Sequence, residues 1–270
     1  MTHQFSEDYL FRFGGISRLY GLQGLRKIAQ SRVLIIGLGG VGSWVVEAIA
    51  RTGFNHIVLV DLDDVCASNT NRQIQATQAN IGKAKAQALK ERILEINPES
   101  KVETVIEFYN SETADQILSG KIDFLFDCID SIDKKAHLIH QCHTRKIPLI
   151  TCGGVGGKKD PSMIRISDLS QSENDPLLKQ LKKNLRKIYL FPAADKKMKV
   201  NCVYSIENAV FPSPDGEFCL TKADQKNLEI QNSQSLKLDC RSGYGAASFL
   251  SGSVGFTMVS FAVHQMLLQK

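Results

Sequence analysis

The segment Arg32-Val-Leu-Ile-Ile-Gly-Leu-Gly-Gly-Val-Gly42 joins an apolar strand to a glycine-rich turn and a helix start, and it is the strongest indication of the fold in the sequence. The β-branched run before the turn is typical of a strand covered on both faces. Gly37 allows a tight turn, Gly39 leaves room for a phosphate, and Gly42 lets the helix pack on the strand. Gly40 belongs to the same turn. Since free N–H groups at a helix N-terminus attract anions, the segment predicts a nucleotide site.

Strands and helices alternate along the chain on either side of this turn. Further strand-like runs are His56–Val60, Lys101–Ile106, Phe124–Cys128 and Pro148–Thr151. Helical patterns cover Val41–Arg51, Lys83–Ile96 and Ile132–Arg145. Such alternation predicts an α/β fold with a doubly wound, mostly parallel Rossmann-like sheet. We expect an N-terminal helical segment over 1–30, a nucleotide-binding half over 31–157 and a C-terminal half over 158–270.

The C-terminal half is predicted to extend the sheet with short strands at Met163–Ile166, Cys202–Ser205 and Glu217–Leu220, and with a polar loop at Ala223–Gln234. Between them, Lys179–Lys199 carries eight Lys and Arg residues against the single acid Asp195. This basic loop and helix could contact the phosphates of a nucleic acid, although a solvated helix face is the usual meaning of a charge run.

Composition excludes several classes of protein. The 270 residues are 43% hydrophobic and 23% charged, with a net charge of +5, which is typical of a folded globular chain rather than a disordered or collagen-like one. The seven cysteines form no C-x-x-C pair, and the polar, acidic N-terminus has no features of a secretory signal. We therefore expect a cytoplasmic protein with reduced thiols.

One long stretch near the C-terminus lacks charge. No Asp, Glu, Lys or Arg occurs from Ser242 to Gln269, and Gly245–Val263 approaches the length that spans a membrane. Its many Gly, Ala and Ser residues disfavour transfer into lipid and favour close helix packing. We expect a helix buried between the sheet and a partner subunit, with a membrane-spanning helix as the alternative.

Carboxylates and cations follow the glycine turn in a pattern that distinguishes between nucleotides. Asp61 lies 24 residues after Gly37, at the end of the second strand, where it can accept a hydrogen bond from a ribose. Asp63 follows, and then come Arg72 and Lys85. A nicotinamide site needs few cations, whereas attack at the α-phosphorus of a triphosphate requires Arg, Lys and a carboxylate-held Mg²⁺. This set favours MgATP, although NAD-dependent oxidoreductases are the commonest owners of the glycine motif.

Five motifs, in order and spacing, resemble the ubiquitin-activating-enzyme-like adenylating family, which includes the molybdopterin-synthase and thiamine-pathway adenylating enzymes. They are Gly37–Gly42, Asp61–Asp63, Asn69–Gln73, Gly82–Lys85 with Ile96–Pro98, and Asp127–Asp130. The resemblance implies that Gly39 and Gly42 line the phosphates and that Asp61 or Asp63 holds the ribose. It also implies that Asn69, Arg72 and Lys85 grip the triphosphate and that Asp130 holds Mg²⁺. Asp127 is included among the nucleotide-site residues, with a structural role at the strand end as its alternative.

Other segments resemble, within that family, the tRNA threonylcarbamoyladenosine dehydratase group. They are Arg12–Gly21, Thr151–Gly157, Asp239–Ala246 and the basic stretch after Asp175-Pro176. The resemblance implies ATP-dependent cyclisation of N6-threonylcarbamoyladenosine in tRNA, by adenylation of its carboxylate, in a homodimer with no DNA partner. In the sulfur-transfer relatives, an arginine that reaches the partner's nucleotide stands where this chain has Gly15. Arg18 or Arg12 could take that role.

The sequence leaves alternatives open. Adenylation of a ubiquitin-like sulfur carrier is one alternative, disfavoured because the sulfur-transfer relatives typically carry two C-x-x-C zinc pairs that this sequence lacks. An NAD-dependent oxidoreductase and a non-catalytic tRNA-binding module are alternatives from other classes. Physical coupling to a cysteine-desulfurase sulfur-transfer system is also open. Cys240 precedes a Gly/Ala-rich helix start that could stabilise a thiolate, which makes it a catalytic candidate; a buried structural thiol is the alternative.

Overall fold

A seven-stranded sheet forms the centre of the computed structural model, which describes residues 5–212, 218–219 and 244–268. Its strands are β1 (Arg32–Ile36), β2 (His56–Val60), β3 (Lys101–Val105), β4 (Phe124–Asp127), β5 (Leu149–Cys152), β6 (Ile164–Asp168) and β7 (Asn201–Ser205). They lie in the order β3-β2-β1-β4-β5-β7-β6 and run parallel, except that β6 pairs antiparallel with β7. The strand order reverses direction between β1 and β4. This confirms the predicted doubly wound, mostly parallel α/β fold.

Helices cover both faces of the sheet. They are α1 (Glu7–Gln30), α2 (Gly40–Thr52), α3 (Lys85–Ile96), α4 (Ala114–Ile117), α5 (Ile132–Arg145), α6 (Pro176–Tyr189) and α7 (Ser248–Leu268). Side chains of β1 alternate between two cores: Val33 and Ile35 join α2, α3 and α7 on one face, whereas Leu34 and Ile36 join α4 and α5 on the other. This alternation explains why the strand is apolar at successive positions.

The C-terminal part adds the predicted basic helix, α6, which packs against α5. A two-stranded antiparallel ribbon, β8 (Phe211–Pro212) and β9 (Phe218–Cys219), follows β7. The ends of the predicted strand Glu217–Leu220, the predicted loop Ala223–Gln234 and the catalytic candidate Cys240 lie outside the described residues.

The small residues of α7 allow it to pack closely on α2. Gly252 and Gly255 are buried, and a Cβ added to Gly255 would lie 3.0 Å from the Val41 carbonyl oxygen and the Trp44 Cβ. Phe249 and Phe256 of the same helix are exposed. No helix within residues 5–212, 218–219 and 244–268 has the length and hydropathy needed to span a membrane.

Candidate active site

A cavity of about 980 Å³ opens at the carboxyl ends of the parallel strands. Its lining includes the segments that follow β1, β2, β4 and β5, together with the turn after β3. The carboxyl edge of a parallel sheet, at the point where the strand order reverses, is where α/β proteins bind ligands. The topology therefore brings together residues that lie up to about two hundred positions apart in the chain, from Ile36 to Ala246.

The glycine turn forms one side of the cavity. Gly37, with a φ of 90°, lies against the backbone after β4, since an added Cβ would come 2.7 Å from the Cys128 carbonyl oxygen. A Cβ on Gly39 would meet no atom within 4 Å, and Gly39 provides no side-chain cap for α2. Gly40 also lines the cavity. The turn thus leaves space and uncapped N–H groups for an anion.

Gly42 has a different role from the other glycines of the turn. It is buried and does not line the cavity, and a Cβ there would lie 1.8 Å from the Gly37 carbonyl oxygen. It permits the close contact of α2 with the end of β1, as its position in the motif predicts. Gly42 therefore contributes to the packing of α2 and does not face the space where a phosphate would lie.

Asp61 provides a carboxylate acceptor beside the turn. One oxygen accepts from the Leu38 N–H at 2.6 Å and the other from the Asp63 N–H at 2.8 Å. Burial raises the pKa of Asp61 above its ordinary value, against the opposing effects of the Leu38 N–H and the nearby Lys85 ammonium. A partly desolvated carboxylate in this position is suited to accept hydrogen bonds from hydroxyl groups, such as those of a ribose.

Two cations, Lys85 and Arg72, line the same cavity as Asp61. The buried ammonium of Lys85 is 2.7 Å from a carboxylate oxygen of Asp63. The Arg72 guanidinium donates to the Ser68 carbonyl oxygen at 2.9 Å. Asn69, also in the lining, accepts from a backbone N–H through its side-chain oxygen and so holds this segment in shape. Asp63 is therefore engaged with Lys85 through one oxygen, whereas Asp61 is held by backbone N–H groups at both oxygens.

Asp127 lies beneath the cavity and not in its lining. Its fully buried carboxylate accepts from the Thr151 hydroxyl at 2.7 Å and pairs with the fully buried Lys135 ammonium at 3.0 Å. Burial alone would lower the pKa of Lys135, but the charge of Asp127 outweighs it and raises the pKa. Lys135 also donates to the Ile129 carbonyl oxygen at 2.8 Å, so the pair anchors the turn that carries Asp130.

Asp130 is exposed at the cavity and forms no hydrogen bond or ion pair with the residues that the structure describes. Carboxylate oxygens are the ligands that Mg²⁺ prefers. Asp130 therefore fits the predicted metal ligand, whereas Asp127 has its charge satisfied within the fold.

Several residues that line the cavity were not predicted as site residues. Phe108 holds the Lys134 ammonium 4.5 Å from its ring centroid, and one carboxylate oxygen of Glu107 is buried without a partner in the described part of the chain. Both follow β3, so extending the strand-end rule to this strand would have found them. Gly153–Gly156 after β5 and Leu177 of α6 also line the cavity. The glycine cluster after a strand was the available signal for that wall.

Two thiols, Cys128 and Cys152, line the cavity between the glycine turn and Gly153–Gly156. The hydrogen bond from Cys128 to Cys152 raises the pKa of Cys128 and lowers that of Cys152. Arg18 lies outside the lining on the exposed face of α1, and Arg12 pairs with Asp8 at 2.7 Å. Within this chain neither arginine joins the other predicted residues.

The basic stretch is only partly available to a polyanion. Three lysines one helical turn apart are exposed on α6 and form what we call the α6 stripe: Lys179, Lys183 and Lys187. Lys182 instead donates to the Ser172 carbonyl oxygen at 2.6 Å, and Arg186 donates to the Pro192 carbonyl oxygen at 3.2 Å. The Tyr189 ring stacks on His140 at 4.5 Å. Its aromatic face is therefore already in contact with α5.

Comparison with known proteins places these features in a family. The profile of the ThiF family matches residues 15–267 of this chain. The tRNA threonylcarbamoyladenosine dehydratase of Escherichia coli (strain K12) is 41% identical over 268 residues, which are 99% of this chain and 97% of that protein. Crystal structures of the E. coli dehydratase in complex with ATP and with AMP superpose with TM-scores of 0.84 and 0.85, at 38% identity, and each covers 98% of this chain. The share of the solved chain covered is 97% for the ATP complex and 98% for the AMP complex.

Proposed function

The chain belongs to the ThiF family, and from this premise we propose that it catalyses the ATP-dependent dehydration of N6-threonylcarbamoyladenosine in tRNA. The observation that carries the proposal is the cavity, where an open glycine turn, a desolvated carboxylate and two cations converge. The helix that contributes Leu177 to this cavity also carries the exposed α6 stripe. A nucleotide site beside a basic surface is what an ATP-dependent enzyme acting on RNA requires.

The chemistry proceeds in two steps. The substrate carboxylate attacks the α-phosphorus of ATP, which forms an acyl-adenylate and releases pyrophosphate. A nitrogen of the neighbouring ureido group then attacks the activated carbonyl carbon, expels AMP and loses its proton. Because AMP carries away the carboxylate oxygen, the ring closes with net loss of water. Adenylation is needed since a free carboxylate is a poor electrophile.

The residues of the cavity divide this work. Gly37 and Gly39 leave room for the phosphates, and Asp61 accepts hydrogen bonds from the ribose. Arg72 and Lys85 stabilise the negative charge that develops on the phosphate oxygens, because both line the cavity and Lys85 is buried there. Both are held by hydrogen bonds before the ligand arrives, which reduces the cost of reorganisation during the reaction.

Mg²⁺ fits the exposed carboxylate of Asp130, which the buried pair below it positions. When bound, the ion supplies charge neutralisation at the phosphate oxygens. The residues of this chain provide its ligand and the rigid turn behind that ligand.

We propose that the enzyme acts as a homodimer. Large apolar side chains are exposed on α1 and α7: Phe11, at 90% exposure, Leu19, Phe249 and Phe256. Exposed apolar patches on soluble proteins mark interaction surfaces, and the predicted interface segments lie on these helices. Sedimentation should give a dimer at micromolar concentration, whereas Phe11→Glu combined with Leu19→Glu should give a monomer. A monomeric wild-type protein would contradict the proposal. Docking of a cysteine-desulfurase system and a cytoplasmic location stay predictions from the sequence.

The function is tested by incubating the protein with ATP and tRNA that carries threonylcarbamoyladenosine. Mass spectrometry of the nucleosides should show an ATP-dependent loss of about 18 Da, the mass of water, on that nucleoside alone, since the site defines the function. AMP should form in equal amount. Asp130→Ala serves as the matched inactive control. Adenylation of a sulfur-carrier C-terminus without any change in tRNA, or binding of NAD in place of ATP, would refute the assignment.

A further inference from the structure

Asp175 joins three parts of the molecule through one buried carboxylate. It caps α6, where one oxygen accepts from the Leu178 N–H at 2.9 Å. The other oxygen accepts from the Gly154 N–H at 2.9 Å and from the Lys158 ammonium at 3.2 Å. Lys158 is itself buried and also donates to the Ser205 carbonyl oxygen, at the end of β7, at 2.9 Å. The first turn of α6 is thus bonded directly to the segment after β5.

The segment on the far side of this carboxylate is the wall of the cavity. Gly153–Gly156, which we call the glycine wall, lines the cavity together with Leu177 of α6. The wall fits closely against Asp175, because a Cβ added to Gly153 would lie 2.3 Å from the carboxylate oxygen that binds Gly154. A shift of the first turn of α6 would therefore displace the wall or break these bonds.

The contact resists loosening. Asp175 and Lys158 have side chains that are 1% and 2% exposed, so separating them would leave uncompensated charges away from water. The exposed lysines of the α6 stripe stand on the same helix, beginning one turn after Asp175. Because a helix transmits displacement along its axis, a ligand on the stripe and a ligand in the cavity act on the same connected element.

We propose that Asp175, with Lys158, is a positioning residue that couples polyanion binding on the α6 stripe to nucleotide binding in the cavity. The inference rests on the proposed function, since the polyanion is taken to be tRNA. The residues touch neither ligand. Their effect passes through the glycine wall, whose arrangement favours bound nucleotide more strongly when RNA holds α6 in place. Linkage requires the converse, that nucleotide strengthens RNA binding by the same factor.

The test is to measure the affinity for ATP by calorimetry with and without saturating tRNA. We expect tRNA to tighten ATP binding by about fivefold or more in the wild type, which is the lower end of typical coupling. Lys158→Met combined with Asp175→Ser keeps a hydroxyl cap on α6, removes both buried charges and cannot reach the wall. In this variant the coupling factor should fall to within about twofold of one, the level of no coupling. Asp175→Asn is the second variant, should the double variant be unstable.

Asp168→Asn is the matched control. Asp168 also caps a turn with its carboxylate and accepts from the Met198 N–H at 2.9 Å, but it does not line the cavity or touch the glycine wall. Its substitution should leave the coupling factor unchanged, because a loss of local stability alone does not alter the linkage between two ligands.

The outcomes separate the inference from the proposed function. An enzyme that converts tRNA, but whose coupling factor is one or survives the Asp175 variants, overturns the inference and leaves the function standing. A wild-type protein that neither binds nor converts tRNA overturns both. Loss of coupling in the Asp175 variants, with the Asp168 control intact, supports the inference.

Discussion

The same substitution at two glycines of one turn should have opposite consequences. Gly39→Ala places a methyl group where no protein atom lies within 4 Å, at a φ of −79°. We expect its free energy of unfolding to stay within about 0.5 kcal/mol of wild type, because the methyl group of this half-buried residue meets no neighbouring atom. The methyl group would occupy the space reserved for a phosphate. ATP affinity should fall at least about tenfold, equivalent to about 1.4 kcal/mol of binding free energy.

Gly42→Ala should damage the fold instead. Its Cβ would lie 1.8 Å from the Gly37 carbonyl oxygen, far inside van der Waals contact, and the obstructing atom is backbone rather than a flexible side chain. Relief requires α2 to move away from β1, so we expect a loss of more than about 3 kcal/mol, above the usual cost of overpacking. Nucleotide binding should decline only through the loss of folded protein.

Urea unfolding, followed by tryptophan fluorescence, measures the free energy of unfolding. Titration with ATP in the absence of urea measures the affinity for ATP. Ser119→Ala is the control, because this exposed side chain after α4 does not line the cavity. It should leave ATP affinity unchanged. Normal ATP affinity in Gly39→Ala would show that phosphate does not approach this glycine. Normal stability in Gly42→Ala would refute the close packing of α2 on the turn.

Three further predictions concern charge. The variants Arg72→Ala, Lys85→Ala and Asp130→Ala should each lower turnover about a hundredfold or more without unfolding the protein, because each removes one charged group that stabilises the transition state. Near-normal activity in all three variants would refute these roles. Burial alone would raise the pKa of Glu47, but its hydrogen bonds from Arg92 and Arg51 lower it, so its contribution to stability is present above the ordinary carboxyl pKa and is lost as pH falls through the lowered value. Glu47→Gln should therefore cost about 1 kcal/mol at pH 7, modest because Arg51 is exposed, and a difference in urea midpoints that persisted at low pH would contradict this. Reversing all three α6-stripe lysines to Glu should weaken tRNA binding and reduce the slope of log K against log salt by roughly 0.7 to 0.9 for each phosphate that the protein no longer neutralises, with ATP affinity intact. The matched control reverses three exposed lysines at the amino end of the sheet, Lys101, Lys121 and Lys146, and an equal effect there would deny the stripe a specific role.

Much of the candidate site was predictable because its residues follow strands. A parallel sheet gathers its carboxyl ends at one edge, so Asp61 after β2 and Asp130 after β4 had to approach the glycine turn. Arg72 and Lys85 were placed by resemblance to the family, and the structure puts both in the cavity lining. Asp127 was grouped with them because sequence proximity to Asp130 does not distinguish a side chain facing the cavity from one facing the core.

The order of strands and helices, the glycine turn and the family could all be predicted from the amino-acid sequence, because each depends on local periodicity or on residue type at fixed spacing. Which charged side chains are exposed depends on how distant segments pack. Lys182 and Arg186 lie in the basic stretch, yet backbone carbonyls bind them, whereas their neighbours on the α6 stripe remain exposed. The Asp175–Lys158 pair likewise joins residues on separate segments at the end of the sheet. Burial and partnership are properties of packing between distant segments, and no local pattern specifies them.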